Sequence, residues 1–225
     1  MKQLVIFGIG GISEAISYYF NRDSDYEIVA YACDRQYLQS GTTFLSKPVI
    51  ETNEVMDMYT CDKYHMFVAM GYQGLNGVRT DRYNLYKEHG YKFANYKSPY
   101  VRGDYTIGDN SIVMDDVVIQ PCVSIKNNTL VWGGTMIGHH TNIGNNCYLT
   151  GSCAIGGKVN VGDSSFIGLN ASIGNEITIG KNCLIGAHTL CVRSIPDKTV
   201  LIKEQTPAHR LNSEQFTNMS SCFKP

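Results

Sequence analysis

The sequence has no excess of charge of either sign. Nineteen Lys and Arg residues against 20 Asp and Glu residues give a net charge of −1, and only 17% of the residues are charged. A nucleic-acid-binding protein usually has a basic surplus, so we expect no nucleic acid among the partners. The sequence also lacks an apolar run of about 18 residues, the length needed by a membrane-spanning helix. We therefore expect no membrane partner either.

Secretory and disulfide signals are also missing. The first residues, MKQLVIFGIGG, contain one Lys and run into glycines, unlike a signal peptide that ends in a small-residue cleavage site. The eight cysteines include no CxxC pair. We expect a cytoplasmic protein with reduced thiols. Apolar residues make up 43% of the 225-residue chain, which is enough for a substantial core, and we expect two domains.

A period of six residues dominates the second half of the chain. Every sixth residue from Val101 to Ile185 is Ile, Leu or Val. These fifteen positions are Val101, Ile107, Val113, Ile119, Ile125, Val131, Ile137, Ile143, Leu149, Ile155, Val161, Ile167, Ile173, Ile179 and Ile185. Each hexad predicts one short strand followed by a corner.

Two further positions of the hexad have a fixed character. Gly directly follows the aliphatic residue in nine hexads, where we expect it to let the backbone turn. A mostly small or β-branched residue comes four places after the aliphatic one. Cys147, Cys153 and Cys183 occupy that place, so we interpret them as core residues, not as catalytic or metal-binding ones.

These hexads resemble the repeat of the left-handed parallel β-helix. In that family three hexads make one triangular coil, so fifteen make five coils, stacked about 4.8 Å apart. The resemblance implies a homotrimer. We expect the β-helix to span residues 99–211, with the hexads ending at Leu190 and a C-terminal tail at residues 212–225. The segment 194–211 looks like the one that closes such helices.

The first 98 residues predict a small Rossmann-like domain. An apolar run at 2–7 leads into Gly8-Ile9-Gly10-Gly11 and then into a sequence with helical spacing. Further apolar runs at 28–33 and 65–70 end at Asp34 and Gly71. We expect three parallel strands alternating with helices, with a ligand at the carboxyl ends of the strands.

The glycine turn does not complete a dinucleotide-binding fingerprint. A Gly-x-Gly-x-x-Gly motif would need Gly at position 13, where this chain has Ser13. An oxidoreductase that binds NAD is therefore a weak alternative. A second alternative is a tight turn that binds no ligand. We favour the interpretation that the turn binds a nucleotide-linked ligand.

A short Rossmann-like domain before a left-handed β-helix is similar to bacterial sugar acetyltransferases. That family includes the sialic acid O-acetyltransferases and the UDP-4-amino-sugar N-acetyltransferases, and the resemblance spans residues 3–210. The resemblance implies that a nucleotide-sugar contacts five residues in the glycine turns and at the end of the second strand. They are Gly10, Gly11, Ile12, Asp34 and Gly71.

The resemblance also assigns the base to His139, at the third place of the hexad that begins at Ile137. A histidine is suited to removing a proton from an attacking amine or hydroxyl at neutral pH. Family members have Glu after this histidine, whereas this chain has His140, which we include as a secondary catalytic residue. Asp115 or Asp116 is an alternative partner that could orient His139.

Acetyl-CoA is the cosubstrate that the family implies. Its contact positions correspond to Tyr148, Gly157, Leu169 and Ala187. Gly157 lies eighteen residues, one full coil, after His139, so it is expected to lie directly over the base. Trp132 is a candidate for shaping the pocket.

We expect no metal. His139 and His140 are adjacent and are expected to point apart, and His188 lies nearly three coils beyond His140. One subunit therefore cannot bring these histidines to one tetrahedral metal ion.

The sequence thus predicts an acetyl-CoA-dependent N-acetyltransferase of a nucleotide-linked amino sugar. O-acetylation of a sugar hydroxyl is the enzymatic alternative. A noncatalytic β-helix scaffold and a zinc protein are the alternatives from other classes.

Overall fold

The computed structural model describes residues 1–38, 41–101 and 103–219. Within these ranges the chain forms an α/β domain and then a long parallel β-helix. No helix in them is long and apolar enough to cross a membrane. The last part of the predicted C-terminal tail, residues 220–225, lies outside the described residues.

The N-terminal domain is a six-stranded sheet with helices packed on it. Its strands are β1 (Lys2–Phe7), β2 (Tyr26–Cys33), β3 (Thr43–Phe44), β4 (Lys47–Glu51), β5 (Tyr64–Val68) and β6 (Lys92–Phe93). Its helices are α1 (Gly11–Asp23), α2 (Val55–Met58) and α3 (Gly77–Glu88), with a 3₁₀ turn at Arg35–Tyr37. The strand order is β3-β4-β2-β1-β5-β6, and only β3 is antiparallel to its neighbour.

The prediction of three parallel strands is correct for β1, β2 and β5 but incomplete. A short hairpin, β3–β4, adds to the sheet beyond β2, and β6 adds beyond β5. Both additions are short strands with too few apolar residues to stand out in the sequence. The second halves of β1 and β5, from Leu4 and Met66 onward, are buried because helices cover both faces, as expected of parallel sheets.

The β-helix consists of short strands that repeat every six residues. They are β7 (Tyr96–Lys97), β8 (Tyr105–Ile107), β9 (Ile112–Val113), β10 (Val118–Ile119), β11 (Val123–Ile125), β12 (Leu130–Val131), β13 (Met136–Ile137), β14 (Asn142–Ile143), β15 (Tyr148–Leu149), β16 (Ala154–Ile155), β17 (Asn160–Val161), β18 (Phe166–Ile167), β19 (Ser172–Ile173), β20 (Thr178–Ile179), β21 (Leu184–Ile185), β22 (Leu190–Cys191) and β23 (Val200–Leu201). A final helix, α4 (Ser213–Met219), follows the last strand. Residues eighteen apart pair in register, as Ile137 does with Ile155.

Three parallel sheets form the faces of the prism. Face 1 contains β7, β9, β12, β15, β18, β21 and β23; face 2 contains β10, β13, β16, β19 and β22; face 3 contains β8, β11, β14, β17 and β20. The aliphatic repeat residues point inward and form one continuous core with the predicted cysteines. The buried thiols Cys147 and Cys153 have pKa values raised by burial to about 12 and about 11, which disfavours the reactive thiolate.

The corners show that the repeat glycines serve close packing, not a left-handed turn. The left-handed residue of each corner comes two places after the glycine, as at Asn146 and Asn182. A Cβ on Gly168 would lie 2.6 Å from the backbone nitrogen of Ala187 in the next coil. Glycine is needed there because successive coils approach too closely for a side chain, which corrects the sequence interpretation.

The repeat also extends one strand beyond the predicted end at Leu190. Cys191 occupies the inward place of β22 and is buried. The aliphatic pattern missed this strand because a cysteine replaces Ile, Leu or Val. Beyond it, β23 pairs with β21 and ends the stack.

The two domains share a core. Strand β7, just before the predicted boundary at residue 98, pairs with β9 on face 1. Helix α1 packs on the outward side chains of this face, so Ile16 and Phe20 belong to one apolar cluster with Ile112 and Leu130. The N-terminal domain therefore covers face 1.

Candidate active site

The carboxyl ends of β1, β2 and β5 open into a cavity of about 770 Å³. All five predicted substrate-binding residues line it: Gly10, Gly11, Ile12, Asp34 and Gly71. This is the place where parallel α/β sheets bind ligands. The cavity is large enough for a nucleotide.

Gly10 and Gly11 form an open floor at the start of α1. A Cβ on either residue would meet nothing within 4 Å, so a ligand can approach the bare backbone there. Gly10 caps α1 without a side-chain hydrogen bond. The first N–H groups of this 13-residue helix therefore face the cavity, an arrangement that favours an anionic group such as a phosphate.

Asp34 and Arg82 form an ion pair at the side of this cavity. The guanidinium of Arg82 donates to Asp34 Oδ2 at 2.9 Å, and the hydroxyl of Thr52 donates to Asp34 Oδ1 at 2.9 Å. Asp34 is thus held in place with its carboxylate neutralised. Sequence reasoning missed Arg82, because it lies within α3 and no motif connects it with the glycine turn.

Arg79 joins the two domains. Its guanidinium is buried and donates to the carbonyl oxygens of Gly71, Asn146 and Cys147 at 2.9, 2.9 and 3.1 Å. Desolvation lowers the pKa of Arg79 to about 10, which leaves it charged at neutral pH. Because Gly71 lines the cavity, Arg79 fixes the cavity wall to the β-helix.

His139 lies on the corner between faces 2 and 3, with its ring against Gly157 of the next coil. A Cβ on Gly157 would lie 2.9 Å from both Nε2 and Cε1 of His139. The backbone N–H of His139 donates to Gln120 Oε1 at 2.9 Å, and its carbonyl accepts from Lys158 at 2.7 Å. The stacking expected from the eighteen-residue spacing is present, and the ring is otherwise exposed.

The two adjacent histidines contact each other. Their Nδ1 atoms are 3.2 Å apart, and the ring centroids are 5.3 Å apart at 85°. The expectation that the rings point apart is wrong, because His140 has a left-handed backbone with φ of 58°. Within the described residues no group of three or more His, Cys, Asp or Glu side chains is arranged to hold a metal ion.

Asp115 does not orient His139. Its two carboxylate oxygens accept hydrogen bonds from Arg22 at 2.8 Å each, and Oδ1 also accepts one from Ser98. Arg22 holds the pKa of Asp115 below its ordinary value. This carboxylate is therefore committed to binding the N-terminal domain. Asp116 is exposed, with a left-handed backbone at its own corner.

The positions expected to contact acetyl-CoA fall into two groups. Gly157 lies beside His139, whereas Leu169 and Ala187 lie on the corner between faces 1 and 2, and Tyr148 lies on face 1. Tyr148 and Leu169 line a second cavity of about 310 Å³ together with Tyr72 and Trp132. Burial raises the pKa of Tyr148 to about 12, so its hydroxyl stays protonated at neutral pH.

Within one chain the base is remote from the large cavity. The N-terminal domain packs on face 1, and the corner between faces 2 and 3 is the one opposite that face. Every residue that lines the 770 Å³ cavity belongs to the N-terminal domain. His139 and the five cavity residues are therefore not brought together by a single chain.

Known proteins share this arrangement of domains. Residues 104–139 match the bacterial transferase hexapeptide family (six repeats). No curated protein sequence gave a match.

Three solved structures are similar over most of their length. PerB from Caulobacter crescentus, in complex with CoA and GDP-perosamine, has a TM-score of 0.77 and 24% identity, with 89% of this chain and 93% of that chain covered. The acetyltransferase domain of PglB from Neisseria gonorrhoeae, in complex with acetyl coenzyme A, has a TM-score of 0.63 and 21% identity over 88% and 95%. WeeI from Acinetobacter baumannii has a TM-score of 0.54 and 16% identity over 90% and 97%. The resemblance is thus confirmed at the level of the fold: this chain has a Rossmann-like domain followed by a left-handed β-helix, as these three proteins do.

Proposed function

We propose that the protein transfers the acetyl group of acetyl-CoA to an amino group of a nucleotide-linked sugar, with His139 as the general base. The observation that carries the proposal is the exposed His139 ring beside Gly157, on the fold of PerB, a protein solved with CoA and GDP-perosamine. The bare backbone at Gly157 leaves Nε2 accessible beside the ring.

The large cavity supports a nucleotide-linked substrate. The N-terminus of α1 supplies positive potential for a diphosphate, and Arg82, which lines the same cavity, balances the negative charge of Asp34 beside it. The Asp34 carboxylate is available to a ribose or base as a hydrogen-bond acceptor. Gly10, Gly11, Ile12 and Gly71 complete the wall.

His139 supplies the proton chemistry of the reaction. Its Nε2 takes a proton from the sugar nitrogen as that nitrogen attacks the thioester carbon, and the proton then passes to the departing thiolate of CoA. A backbone N–H at a glycine corner stabilises the oxyanion. No covalent intermediate with the protein forms. Tyr148, Gly157, Leu169 and Ala187 are the proposed contacts of the cosubstrate.

We propose that the active unit is a homotrimer. The outward side of face 2 is mostly apolar, with Val118, Met136 and Leu190 exposed by 57%, 36% and 68% and Ser172 as the one polar residue on its five described strands. Burial of such a stripe against other copies is favourable. A neighbouring copy would also bring its nucleotide cavity to His139, which a single chain cannot do. We place the enzyme in the cytoplasm, without a metal requirement.

The test is thiol release from acetyl-CoA across UDP-, dTDP- and GDP-linked amino sugars and their hydroxyl counterparts. Rapid release is expected with one amino sugar, and His139→Asn is expected to lower kcat by about 10²–10⁴-fold, the usual contribution of a general base. The oligomer is expected to remain intact in this variant.

Other outcomes identify the alternatives. Release only with a hydroxyl sugar would indicate O-acetylation. Bound zinc without CoA binding would favour a metal site, and a thermal shift with NAD alone would favour an oxidoreductase. Full turnover in His139→Asn would refute the assignment of the base.

A further inference from the structure

The contact between the rings of His139 and His140 has a chemical consequence. With Nδ1 atoms 3.2 Å apart, the neutral pair carries one hydrogen between these two nitrogens, because two N–H groups would repel each other. The nitrogen that holds this hydrogen decides which nitrogen of His139 keeps a lone pair.

Hydrogen bonds hold the backbone of both histidines in place. The N–H of His139 donates to the side chain of Gln120, and the N–H of His140 donates to the carbonyl of Pro121 at 3.1 Å. Both partners belong to the preceding coil, and Gly157 of the following coil lies against the His139 ring. The pair is therefore held by three successive coils.

The pair has two neutral arrangements. If His139 donates from Nδ1, its lone pair is at Nε2, the edge that faces Gly157. If Nδ1–H of His140 donates instead, Nδ1 of His139 accepts that hydrogen bond with its lone pair. The hydrogen of the His139 ring is then on Nε2. Only the first arrangement leaves His139 with a free basic nitrogen.

We propose that His140 is a positioning residue whose unprotonated Nδ1 accepts a hydrogen bond from Nδ1–H of His139 and so keeps the lone pair of the base at Nε2. This inference rests on the proposed function, in which Nε2 is the base. During the reaction Nε2 receives the proton of the attacking nitrogen and returns it to the thiolate sulfur. His140 stays neutral, with its own hydrogen on Nε2, and accepts the same bond from the imidazolium. A neutral acceptor thus replaces the carboxylate that the family resemblance leads one to expect.

Charged neighbours on the following coils complete the environment of the pair. Lys158 and Glu176 occupy the same corner place one and two coils beyond His140 and form an ion pair at 2.9 Å. Lys158 and, to a smaller degree, His139 lower the pKa of Glu176. On the preceding coil the corresponding residue is the exposed thiol of Cys122. Glu176 is the competing candidate for orienting His139, although its hydrogen bond goes to Lys158.

The first experiment compares His140→Ser with His140→Asn. Ser and Asn occur at the same left-handed corner place elsewhere, as at Ser164 and Asn182, so both variants fit the backbone. The Asn side chain puts an acceptor oxygen near the position of Nδ1, whereas the Ser hydroxyl ends one bond short of that position. We expect His140→Ser to lower kcat about tenfold with little change in KM, and His140→Asn to recover most of that loss.

Control variants at two other positions test whether the effect is specific to His140. His188→Ser makes the same change at the same left-handed place of a hexad, but on the corner between faces 1 and 2, and is expected to leave kcat unchanged. Glu176→Gln is also expected to leave kcat unchanged. Wild-type activity in His140→Ser, or the same loss in both His140 variants, would overturn the proposal, as would a loss in Glu176→Gln equal to that in His140→Ser.

A second experiment does not depend on activity. In protein labelled with ¹⁵N-histidine at about pH 8, where histidine is largely neutral, His139 is expected to show a protonated Nδ1 and an unprotonated Nε2. In His140→Ser we expect the signal to become that of mixed tautomers. A protonated Nε2 in the wild type would refute the hydrogen bond. If no sugar were acetylated, the proposed function would fail while this measurement still decided the tautomer.

Discussion

At the scale of single residues, the candidate base depends on contacts that one methyl group would disturb. Gly157 has the ring of His139 as its nearest neighbour, with Nε2 2.9 Å from the position of an added Cβ. Gly138, one coil earlier at the same corner, has the backbone of Gly156 and Gly157 as its nearest neighbours. A side chain can rotate away from a new atom, but stacked backbone cannot.

We therefore expect Gly157→Ala to displace the His139 ring and lower kcat by about 10²-fold, the effect of a misplacement of about 1 Å. The fold should persist. Gly138→Ala is expected instead to destabilise the β-helix by about 1–3 kcal/mol, because its Cβ overpacks the next coil. Turnover and thermal unfolding of both variants test this contrast, and unchanged turnover in Gly157→Ala would contradict it.

Replacement of Arg82 is predicted to weaken binding of the nucleotide-sugar. Arg82→Met removes the positive charge that balances Asp34 at the cavity wall and leaves that carboxylate to repel a phosphate, so we expect KM for the nucleotide-sugar to rise about 10–100-fold. KM for acetyl-CoA should not change. The matched control is Arg35→Met, since Arg35 is exposed, pairs with Glu51 and does not line the cavity. An equal effect of both variants on KM would argue against this role of Arg82.

At the scale of elements, polar contacts fasten α1 and α3 to the β-helix. Arg22 at the end of α1 binds Asp115, and Arg79 of α3 donates to the carbonyl oxygens of Asn146 and Cys147. These contacts flank the apolar contact of α1 with face 1. They fix the orientation of the nucleotide cavity relative to the coils.

The Asp115 contact predicts a pH dependence of stability. Arg22 lowers the pKa of Asp115 in the folded state, so the folded protein holds this proton less tightly than the unfolded chain. The stabilisation is present above the unfolded pKa of about 3.9 and is lost as the pH falls through the lower folded pKa. We expect Asp115→Asn to lower stability by about 1 kcal/mol at neutral pH, since the pair is partly exposed. The difference between variant and wild type in thermal unfolding should shrink below about pH 3, and a constant difference would contradict the assignment.

At the scale of the whole molecule, one chain places the cavity and the base on different sides of the prism. The proposed trimer resolves this separation by letting a second copy supply the other half of the site. Face 2 is the candidate interface because its outward side chains are mostly apolar, whereas face 3 presents polar ones such as Asn142 and Asn160.

Met136→Asp should therefore dissociate the oligomer and abolish turnover, because it places a charge within the proposed interface on face 2. Asn142→Asp introduces the same charge on face 3 and is expected to leave assembly intact. Sedimentation and thiol release measure both effects. A trimeric and active Met136→Asp variant would exclude face 2 as the interface.

Complementation gives an independent prediction. Co-expressed His139→Asn and Arg82→Met chains should form mixed oligomers in which an intact cavity meets an intact base across an interface. At a nucleotide-sugar concentration well below the KM of the Arg82→Met variant, we expect such oligomers to be more active than either variant alone. Activity no higher than that of the better single variant would argue for a site within one chain.

The hexads were enough to predict the β-helix, because an inward residue at every sixth place is a local requirement that each hexad repeats. The apolar runs also placed the glycine turn, Asp34 and Gly71 at the ends of three strands, where all of them line the large cavity. The sequence alone did not reveal Arg82, the Asp115–Arg22 contact or the extra strands β3, β4 and β6. The contacts of Arg82 and Asp115 join residues far apart in the chain, and the extra strands are too short to show a pattern of their own.

The His139–His140 contact shows most clearly the difference between what the repeat predicts and what depends on the three-dimensional structure. The sequence placed both residues at one corner and predicted the stacking of Gly157 over His139, because coil spacing is fixed at eighteen residues. That the two rings meet at Nδ1 is seen first in three dimensions, because the left-handed backbone at His140 turns its side chain back towards its neighbour. Periodicity determines where a residue lies along the helix, whereas the direction of its side chain depends on the backbone angle and on the coils packed above and below.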